Sequence, residues 1–450
     1  MNSIDHTSPP QVVVGLGKTG LSCIRYLLEN GFNVAATDSR TCPPGLEDIK
    51  AQFPTVQLFL GGFDRTLCLQ AARIILSPGV SLHEPVIAEA VTAGIPVVGD
   101  VELFALLAKA PIVGITGSNG KSTVTTLLGE MGKTANIDVC IGGNLGEPVL
   151  DLLQYPTPHT YALELSSFQL ETTFSLHPLS AVILNLCEDH MDRYDSMADY
   201  LHAKQRIYHD CQHPLINRDD PVTWEGLSLQ APLRFGFPAP ETESDFGLIT
   251  QQNITYFAKG EQCLMPVSEM KMRGKPNVAN ALAALALGTV MGLPLTPMLQ
   301  TLRIFPGLRH RCQWIANING ADWYNDSKAT NVGAAQAAIE GLSHDGDRKL
   351  IVIAGGQGKG ADFSPLKKVM AQHVKQLVLI GEDADLIETA VVRVVPIKRA
   401  DSLEEAVMIA HQTAAFGDSV VLAPACASFD MFKNFEDRGD TFIKYVEGLV

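Results

Sequence analysis

The chain reads as an α/β protein of about three domains, and three observations carry that reading. Short β-branched or apolar runs alternate with longer helical runs along most of the sequence, the pattern of strands that pair in parallel through crossover helices. Two of these runs lead directly into glycine-rich loops that open a helix, Gly15-Leu-Gly17-Lys18-Thr19-Gly20 and Gly114-Ile-Thr-Gly117-Ser118-Asn119-Gly120-Lys121-Ser122-Thr123. The length, 450 residues, suggests three units at roughly 150 residues per domain.

Residues 12–14 form the first strand candidate. The first glycine loop follows, then a helical pattern over 21–29, a stop at Gly31, and a second strand over 33–37 that ends at Asp38. Further strands are expected at 73–76, ahead of the turn Ser77-Pro78-Gly79, and at 96–98. A second block begins near Asp100. Its strand over 111–115 feeds the second glycine loop, and a helix is expected over 123–131. Strands at 161–165 and 181–186 precede a polar, turn-rich stretch from Asn217 to Lys271 and an apolar helix over 280–287. The turn Phe305-Pro306-Gly307 opens a third block with strands at 322–324, 350–354, 376–380 and 419–423 separated by helical runs, so it too reads as doubly wound. Pro424-Ala425-Cys426-Ala427-Ser428-Phe429 is expected to begin the last long helix.

Composition narrows the function classes. Hydrophobic residues at 46% and charged residues at 18% indicate packed cores rather than disorder. A net charge of -15 argues against nucleic acid or an anionic membrane as partner, while leaving room for a small anion held by a few local cations. No Lys or Arg precedes Lys18, so the start lacks the charged region of a signal peptide. The apolar run over 281–295 is too short to span a bilayer and is broken by Gly288, Gly292 and Pro294, so no membrane insertion is expected. Nine cysteines with no C-x-x-C pair suggest reduced thiols in a cytoplasm and oppose a zinc site.

The second glycine loop carries the strongest chemical signal. Glycines let the backbone wrap an oxyanion, and the free N–H groups of a helix start point at it. Lys121 would place a cation on the β- and γ-phosphates of a nucleotide, and Ser122 would offer its hydroxyl to Mg2+. The usual P-loop has Gly six residues before its Lys, where this chain has Ile115, so the glycines at 114, 117 and 120 form a variant spacing. Gly15-x-Gly17-x-x-Gly20 with Asp38 ending the next strand matches the dinucleotide fingerprint. Its physics requires only a diphosphate on a helix N-terminus, so NAD, FAD, a UDP-sugar or a ligand-free turn all remain open. Lys18 adds a cation there, and Asp38-Ser39-Arg40 could meet a ribose, a base or a phosphate.

Other residues suggest chemistry by position. Glu164, in the otherwise apolar run over 161–165, would be costly to bury unless paired with a cation or a metal. His190 follows an apolar strand, where α/β sheets carry their sites. It is either structural or a metal ligand. Lys204 reads, unaided, as a solvated helix charge. Asn325-Asp326-Ser327-Lys328-Ala329-Thr330-Asn331 and Gly355-Gly356-Gln357-Gly358-Lys359-Gly360 each end a strand with charged or hydroxyl groups, or are N-cap turns. Cys426 has no His nearby in sequence and reads as a packed thiol.

Taken together, these segments resemble the Mur ligase family, the ATP-dependent amino-acid ligases of peptidoglycan synthesis. The residues that carry the resemblance are Gly114 to Thr123, Leu163-Glu-Leu-Ser-Ser-Phe-Gln-Leu170, Asp189-His-Met-Asp-Arg-Tyr194, Asn277-Val-Ala-Asn-Ala-Leu-Ala-Ala284, Gly307-Leu-Arg-His-Arg311 and Asn325 to Asn331. They occur in the family's order along nearly the whole chain. The segment from Ala425 to Gly439 is most similar to members that add D-glutamate, and the Asp-Asn-Pro-Arg-type motif of diaminopimelate-adding members is not found.

The resemblance implies a Rossmann-like UDP-binding domain over 1–99, a central P-loop-type mononucleotide-binding ATPase domain over 100–307, and a Rossmann-like amino-acid domain over 308–450. It implies that Gly117, Ser118, Asn119, Gly120, Lys121, Ser122 and Thr123 hold ATP, with Asn277, Asn280, Arg311, Asp326 and Lys328 contacting the nucleotide or the reaction. Two Mg2+ sites are implied, one near Ser122 and Glu164 and one near His190 and Lys204, the latter matching a lysine that members carbamylate. Asn144 would sit beside the reacting carboxylate. Thr330, Lys359, Ser428 and Phe429 would form the D-glutamate pocket, flanked by Phe435. Gly17, Lys18, Thr19, Asp38, Ser39, Arg40, Ser77 and Gly79 would meet the UDP-MurNAc-L-alanine substrate. Lys18 and Ser39 depart from the uncharged residue and the Thr expected there. The implied enzyme is cytoplasmic and monomeric, and makes an amide through an acyl phosphate. Competing readings are a folylpolyglutamate-synthase-like ligase, which would not begin with such a glycine fingerprint, an NAD-dependent oxidoreductase, which leaves Lys121 and Glu164 unused, and a nucleotide-binding module without catalysis, which needs neither Lys204 nor Lys359.

Overall fold

The computed structural model describes residues 8–191, 193–343 and 350–449. It contains three sheets that follow one another along the chain. The first holds β1 (Gln11–Val14), β2 (Val34–Asp38), β3 (Gln57–Leu60), β4 (Arg73–Leu76) and β5 (Val97–Val98), in the order β3-β2-β1-β4-β5 and all parallel. Its central strands are buried on both faces, as helices on each side of a parallel sheet require.

The second sheet holds β6 (Ile112–Thr116), β7 (Val139–Gly143), β8 (Thr160–Glu164), β9 (Ser180–Ile183), β10 (His213–Asn217), β11 (Leu233–Phe235), β12 (Phe246–Gln251), β13 (Ile254–Lys259) and β14 (Gln262–Pro266). Their order is β14-β13-β12-β11-β10-β9-β6-β8-β7. The sheet is parallel from β7 to β12 and closes with an antiparallel meander, β12-β13-β14. The meander lies within the stretch expected to be polar and turn-rich. It buries Phe246, Phe257 and Met265 on one face, while Gln251, Ile254 and Gln262 toward the strand ends are exposed, which dilutes its apolar signal. The hairpin between β12 and β13 turns at Gln252 and Asn253, both at positive φ (50° and 64°), the backbone of a two-residue type I′ loop.

The third sheet holds β15 (Gln313–Ile318), β16 (Ala321–Asn325), β17 (Leu350–Gly355), β18 (Val374–Ile380), β19 (Ile397–Arg399) and β20 (Ser419–Leu422) in the order β15-β16-β20-β17-β18-β19. It is parallel except at the edge, where β15 pairs antiparallel with β16. The last helix runs Phe435–Glu447, not from the Pro424 segment as expected. Ala425 at φ 58° is incompatible with a helix, and Asn434 caps the true start by accepting from the Asp437 N–H.

The sheet orders explain where sites arise. Strand β1 lies between β2 and β4, β6 between β9 and β8, and β20 between β16 and β17. At each point the chain direction of crossover switches, which leaves a crevice at the strands' carboxyl ends. The first two sheets are also joined. One buried cluster includes Leu16, Ile24 and Leu27 with Phe104, Leu150 and Leu163, and Ser22 and Arg25 both donate to Asp151. Among the described residues no helix is long and apolar enough to cross a membrane.

Candidate functional site

The loop after β6 is built tightly against its neighbours, which accounts for its variant glycine spacing. Gly117 (φ 146°) faces the backbone N of Leu184 at 3.1 Å from where a Cβ would lie, and at Gly120 (φ 86°) a Cβ would meet Asn280 Oδ1 at 2.3 Å. Asn185 fastens the loop by accepting from the Asn119 N–H through its side chain (2.8 Å) and from the Ser118 N–H through its carbonyl (2.9 Å). The helix Lys121–Ala135 then points its first N–H groups into the loop.

Two lysines converge on this loop. Lys121 Nζ donates to the carbonyls of Gly117 (2.7 Å) and Ser118 (2.9 Å), and Lys204 Nζ donates to the same Gly117 carbonyl (3.0 Å). Lys204 is 1% exposed, its ammonium 4.4 Å from the centre of the Tyr200 ring. Burial first, and then the charge of Lys121, push its pKa well down. Lys204 is therefore not the solvated helix charge that its residue type suggests. Tyr200, Ala203 and Lys204 are the buried positions of the helix Met197–Gln205, an i, i+3, i+4 face, and that spacing is the signal that could have revealed it. Lys121 is also pushed down by burial, against the opposing pull of Glu164 and Asp189.

Glu164 ends β8 and is 3% exposed. Its Oε1 accepts from Asn144 Nδ2 (2.8 Å), whereas its Oε2 is buried with no hydrogen-bond partner. An ionised oxygen left so is costly and fits a bound cation. Ser122 Oγ accepts from Arg311 Nη2 (2.8 Å), a contact between the central and third domains. Among the described residues no three His, Cys, Asp or Glu side chains converge as a ready metal cluster. A cation here would take much of its shell from water and phosphate, as Mg2+ commonly does.

His190 takes positive φ (59°) in the loop after β9, its ring edge-on to Phe168 (4.9 Å) and its Nε2 3.7 Å from Asp189 Oδ2. Asp189 also accepts from Asn331 Nδ2 of the third domain (3.1 Å). Asp192 of the same motif lies outside the described residues.

From the third domain, Arg311 and Lys328 face the loop. Burial lowers the Arg311 pKa and brings Lys328 down to about 8, with Arg311 and Lys121 adding to the effect on Lys328. Lys328 Nζ lies 4.0 Å from the centre of the Phe435 ring. Asp326 accepts from Cys312 Sγ (3.5 Å), and burial raises its pKa to about 6. Lys359 lies 5.9 Å from the centre of the Phe429 ring, beside buried Ser428.

One cleft of about 720 Å3 between the central and third domains is lined by Ser118 to Ser122, Asn144, Glu164, His190, Lys204, Arg311, Lys328, Thr330, Lys359, Ser428, Phe429 and Phe435. Asn277, Asn280 and Asp326 are not in its lining. Asn280 instead backs Gly120, and Asn277 donates to the Arg273 carbonyl.

The first domain has a separate arrangement. Asp38 is buried, accepting from the Leu16 N–H (2.7 Å) and from the Arg40 side chain at both oxygens (2.8 and 2.7 Å). Ser77 Oγ donates to the Gly15 carbonyl (2.8 Å). Lys18 and Ser39 are exposed, and Arg40 is half-exposed, at the mouth of the crevice. Arg193, given no role from sequence, links this domain to the second. It donates to the carbonyls of Pro78 and Val80 while its guanidinium lies 4.1 Å from the centre of the Phe168 ring. No local motif marks such a contact.

Three α/β domains with a phosphate loop and a cationic cleft between the second and third define a nucleotide-dependent enzyme that joins two substrates across a domain gap. The chain belongs to the Mur ligase family. It matches the descriptions "Mur ligase MurD-like, N-terminal domain" over residues 10–99, "Mur ligase middle domain" over 115–288 and "Mur ligase, glutamate ligase domain" over 310–426. It is 52% identical to a UDP-N-acetylmuramoylalanine--D-glutamate ligase of Coxiella burnetii, over 97% of this chain and 98% of the relative. A protein of the same name from Nitrosococcus oceani is 50% identical over 98% of this chain and 96% of the relative. A pseudomurein peptide ligase type C from Methanothermus fervidus shares the fold at a TM-score of 0.60 and 17% identity, covering 98% of this chain and 100% of that one.

Proposed function

We propose that the chain is an ATP-dependent ligase that joins D-glutamate to UDP-N-acetylmuramoyl-L-alanine in peptidoglycan precursor synthesis. The observation that carries this reading is a cleft in which a phosphate loop, a buried carboxylate oxygen without a hydrogen-bond partner, buried Lys204, partly buried Lys121 and the third-domain residues Lys359 and Ser428 meet. Relatives about half identical over almost the whole length support it.

A carboxylate is a poor acyl donor, so the chemistry runs in two steps. The alanyl carboxylate oxygen attacks the γ-phosphorus, an O–P bond forms, and the bond to ADP breaks. The glutamate nitrogen then attacks the acyl carbon, the tetrahedral centre collapses, phosphate leaves with the C–O pair, and the amine loses its proton. Such transfer depends on positioning and on cations around the phosphate oxygens. Lys121 and the amides of Gly117 to Thr123 would hold the triphosphate, with Arg311 and Lys328 closing from the third domain and Asn277, Asn280 and Asp326 supporting the nucleotide side. Asn144 would orient the reacting carboxylate. Lys359, Thr330 and Ser428 would fix the carboxylates of glutamate, between Phe429 and Phe435. Gly17, Lys18, Thr19, Asp38, Ser39, Arg40, Ser77 and Gly79 would receive the UDP moiety in the first domain.

The donor set fits Mg2+. Ser122 and Glu164 would hold one ion, and His190 with a carbamylated Lys204 a second. Bound there, the ions neutralise phosphate oxygens. Carbamylation needs a neutral amine, and burial beside Lys121 favours that form. The neutral Lys204 nitrogen would attack the carbon of CO2: an N–C bond forms, one C=O π pair moves onto oxygen, and the nitrogen loses a proton, leaving an anionic oxygen ligand where an ammonium would otherwise stand. The enzyme would act as a cytoplasmic monomer, with domain movement about hinges near residues 100 and 307.

ADP release with each substrate omitted in turn tests this reading. Turnover should need both UDP-MurNAc-L-Ala and D-glutamate. ADP release indifferent to D-glutamate, or reduction of NAD, would overturn it.

A further inference from the structure

Arg438, in the last helix, is 1% exposed and has used all five of its N–H groups. Its Nε donates to Ser327 Oγ (3.0 Å). Nη2 donates to the carbonyls of Ser327 (2.9 Å) and Cys426 (3.0 Å). Nη1 donates to the carbonyls of Ala427 (3.3 Å) and Gly355 (3.5 Å). These acceptors lie in the loops that follow β16 and β20 and at Gly355, the last residue of β17, where the third loop begins. Each loop carries residues of the cleft: Lys328 and Thr330, Lys359, and Ser428 with Phe429.

None of the five acceptors is a carboxylate. Asp430 attracts the guanidinium through space but makes no hydrogen bond to it, and a buried charge held this way is a poor way to stabilise a fold, since an apolar side chain of similar volume commonly does as well or better. What it supplies is geometry: a rigid planar fork that fixes several carbonyls at once. The surrounding contacts extend the same tie. Ser327 Oγ, accepting from Arg438, donates onward to the Phe435 carbonyl (2.8 Å). Gln357 and Ala427 exchange two backbone hydrogen bonds (3.0 and 2.9 Å). At Gly356 a Cβ would meet the Ala427 carbonyl at 2.2 Å, so the loops approach as closely as backbone allows.

We propose that Arg438 is a positioning residue that locks the three loops into one body, so that the glutamate-holding groups keep a fixed place relative to Lys328 on the nucleotide side. The proposal rests on the ligase reading above. It predicts a specific failure: without the fork, the amino-acid pocket loosens while the first domain and the phosphate loop stay as they were.

The test is steady-state kinetics on the full-length enzyme. Dependence of the unmodified enzyme on D-glutamate tests the ligase reading on its own; the pattern among variants tests Arg438. Arg438→Lys keeps the charge but cannot span three loops, and should raise the KM for D-glutamate about tenfold while moving the KM for UDP-MurNAc-L-Ala by less than about twofold. Arg438→Ala should show a larger rise, partly reversed by millimolar guanidinium ion. Ser327→Ala, which removes one acceptor, should give a smaller shift in the same direction. If Arg438→Ala does not fold, the Lys and Ser327 variants carry the test. A folded Arg438→Lys with an unchanged KM for D-glutamate, or with all three substrate KM values rising together, would overturn the proposal.

Discussion

The two glycine loops of this molecule make the same strand, turn and helix, yet their surroundings differ in kind. After β1, the loop over 15–20 is served by a carboxylate, Asp38, whose oxygens are taken by the Leu16 N–H and by Arg40. Its cations, Lys18 and Arg40, stand toward solvent. After β6, the loop over 117–122 has two lysines on one carbonyl, a carboxylate oxygen with no partner, and an arginine arriving from another domain. The first arrangement is electrostatically settled and suited to holding a ligand unchanged. The second carries unbalanced buried charge, which a triphosphate, metal ions and a carbamate would balance. The strand, turn and helix are thus shared, and the charge left unsatisfied around the turn is what differs; under the proposed function that difference separates holding from transfer.

The largest effect should come from Lys204. Lys204→Ala is expected to lower kcat on the order of a thousandfold, the scale for losing a group that organises transition-state charge. Added bicarbonate or a short carboxylic acid should restore part of it, by supplying the missing anionic oxygen in the space left by the side chain. An alanine variant with full activity would remove the carbamate from the account and make the two loops more alike than we describe.

A smaller effect, of defined sign, attaches to Lys328. Its folded pKa near 8 lies below the ordinary lysine value of 10.5. Its charge is present below about pH 8 and lost above it, so kcat/KM for ATP should fall as pH rises through that point, by about tenfold if one charge-assisted contact is lost. Stability should move the other way. Between about pH 8 and the unfolded value the unfolded chain binds more protons at this site, so its contribution to stability rises with pH. Lys328→Arg should flatten the alkaline limb of the ATP profile. A limb that persists in this variant belongs to another group.

The sequence carries the first loop and the second about equally well as turns, since glycine spacing and a preceding β-branched strand are local properties. Most parallel strands are legible for the same reason: β17, Leu350–Gly355, is a continuous apolar run. What escapes is whatever depends on partners far along the chain. Lys204 looks solvated until the helix Met197–Gln205 is seen packed on the phosphate loop. Arg193 and Arg438 earn their roles only from carbonyls that other loops present. The meander β12-β13-β14 escapes because its apolar residues are interleaved with exposed polar ones such as Thr250, Gln251 and Gln262. The early helix start expected at Pro424 fails because one residue, Ala425, takes a backbone conformation that its type does not announce. The resemblance to a known family is what suggests a carbamate at Lys204, which spacing alone could not.

The smallest expected effect tests the quieter loop. Arg40 forms a paired contact with Asp38 and keeps half its side chain in water, so its contribution to folding is modest, about 1 kcal/mol or less. Its removal leaves Asp38 still accepting from Leu16 N–H, and the turn over 15–20 should keep its shape. If Arg40 also reaches the diphosphate of the UDP substrate, Arg40→Ala should raise the KM for that substrate by roughly three- to tenfold through one lost charged contact. The KM for ATP and the pH profile of ATP use should not move, because the second loop draws its positive charge from Lys121 and Arg311. Isothermal titration of the nucleotide substrate into the variant measures this without turnover. A shift in ATP affinity instead would mean that the two loops are coupled through Arg193 and the Pro78 carbonyl, and that the first domain takes part in the chemistry as well as in holding its ligand.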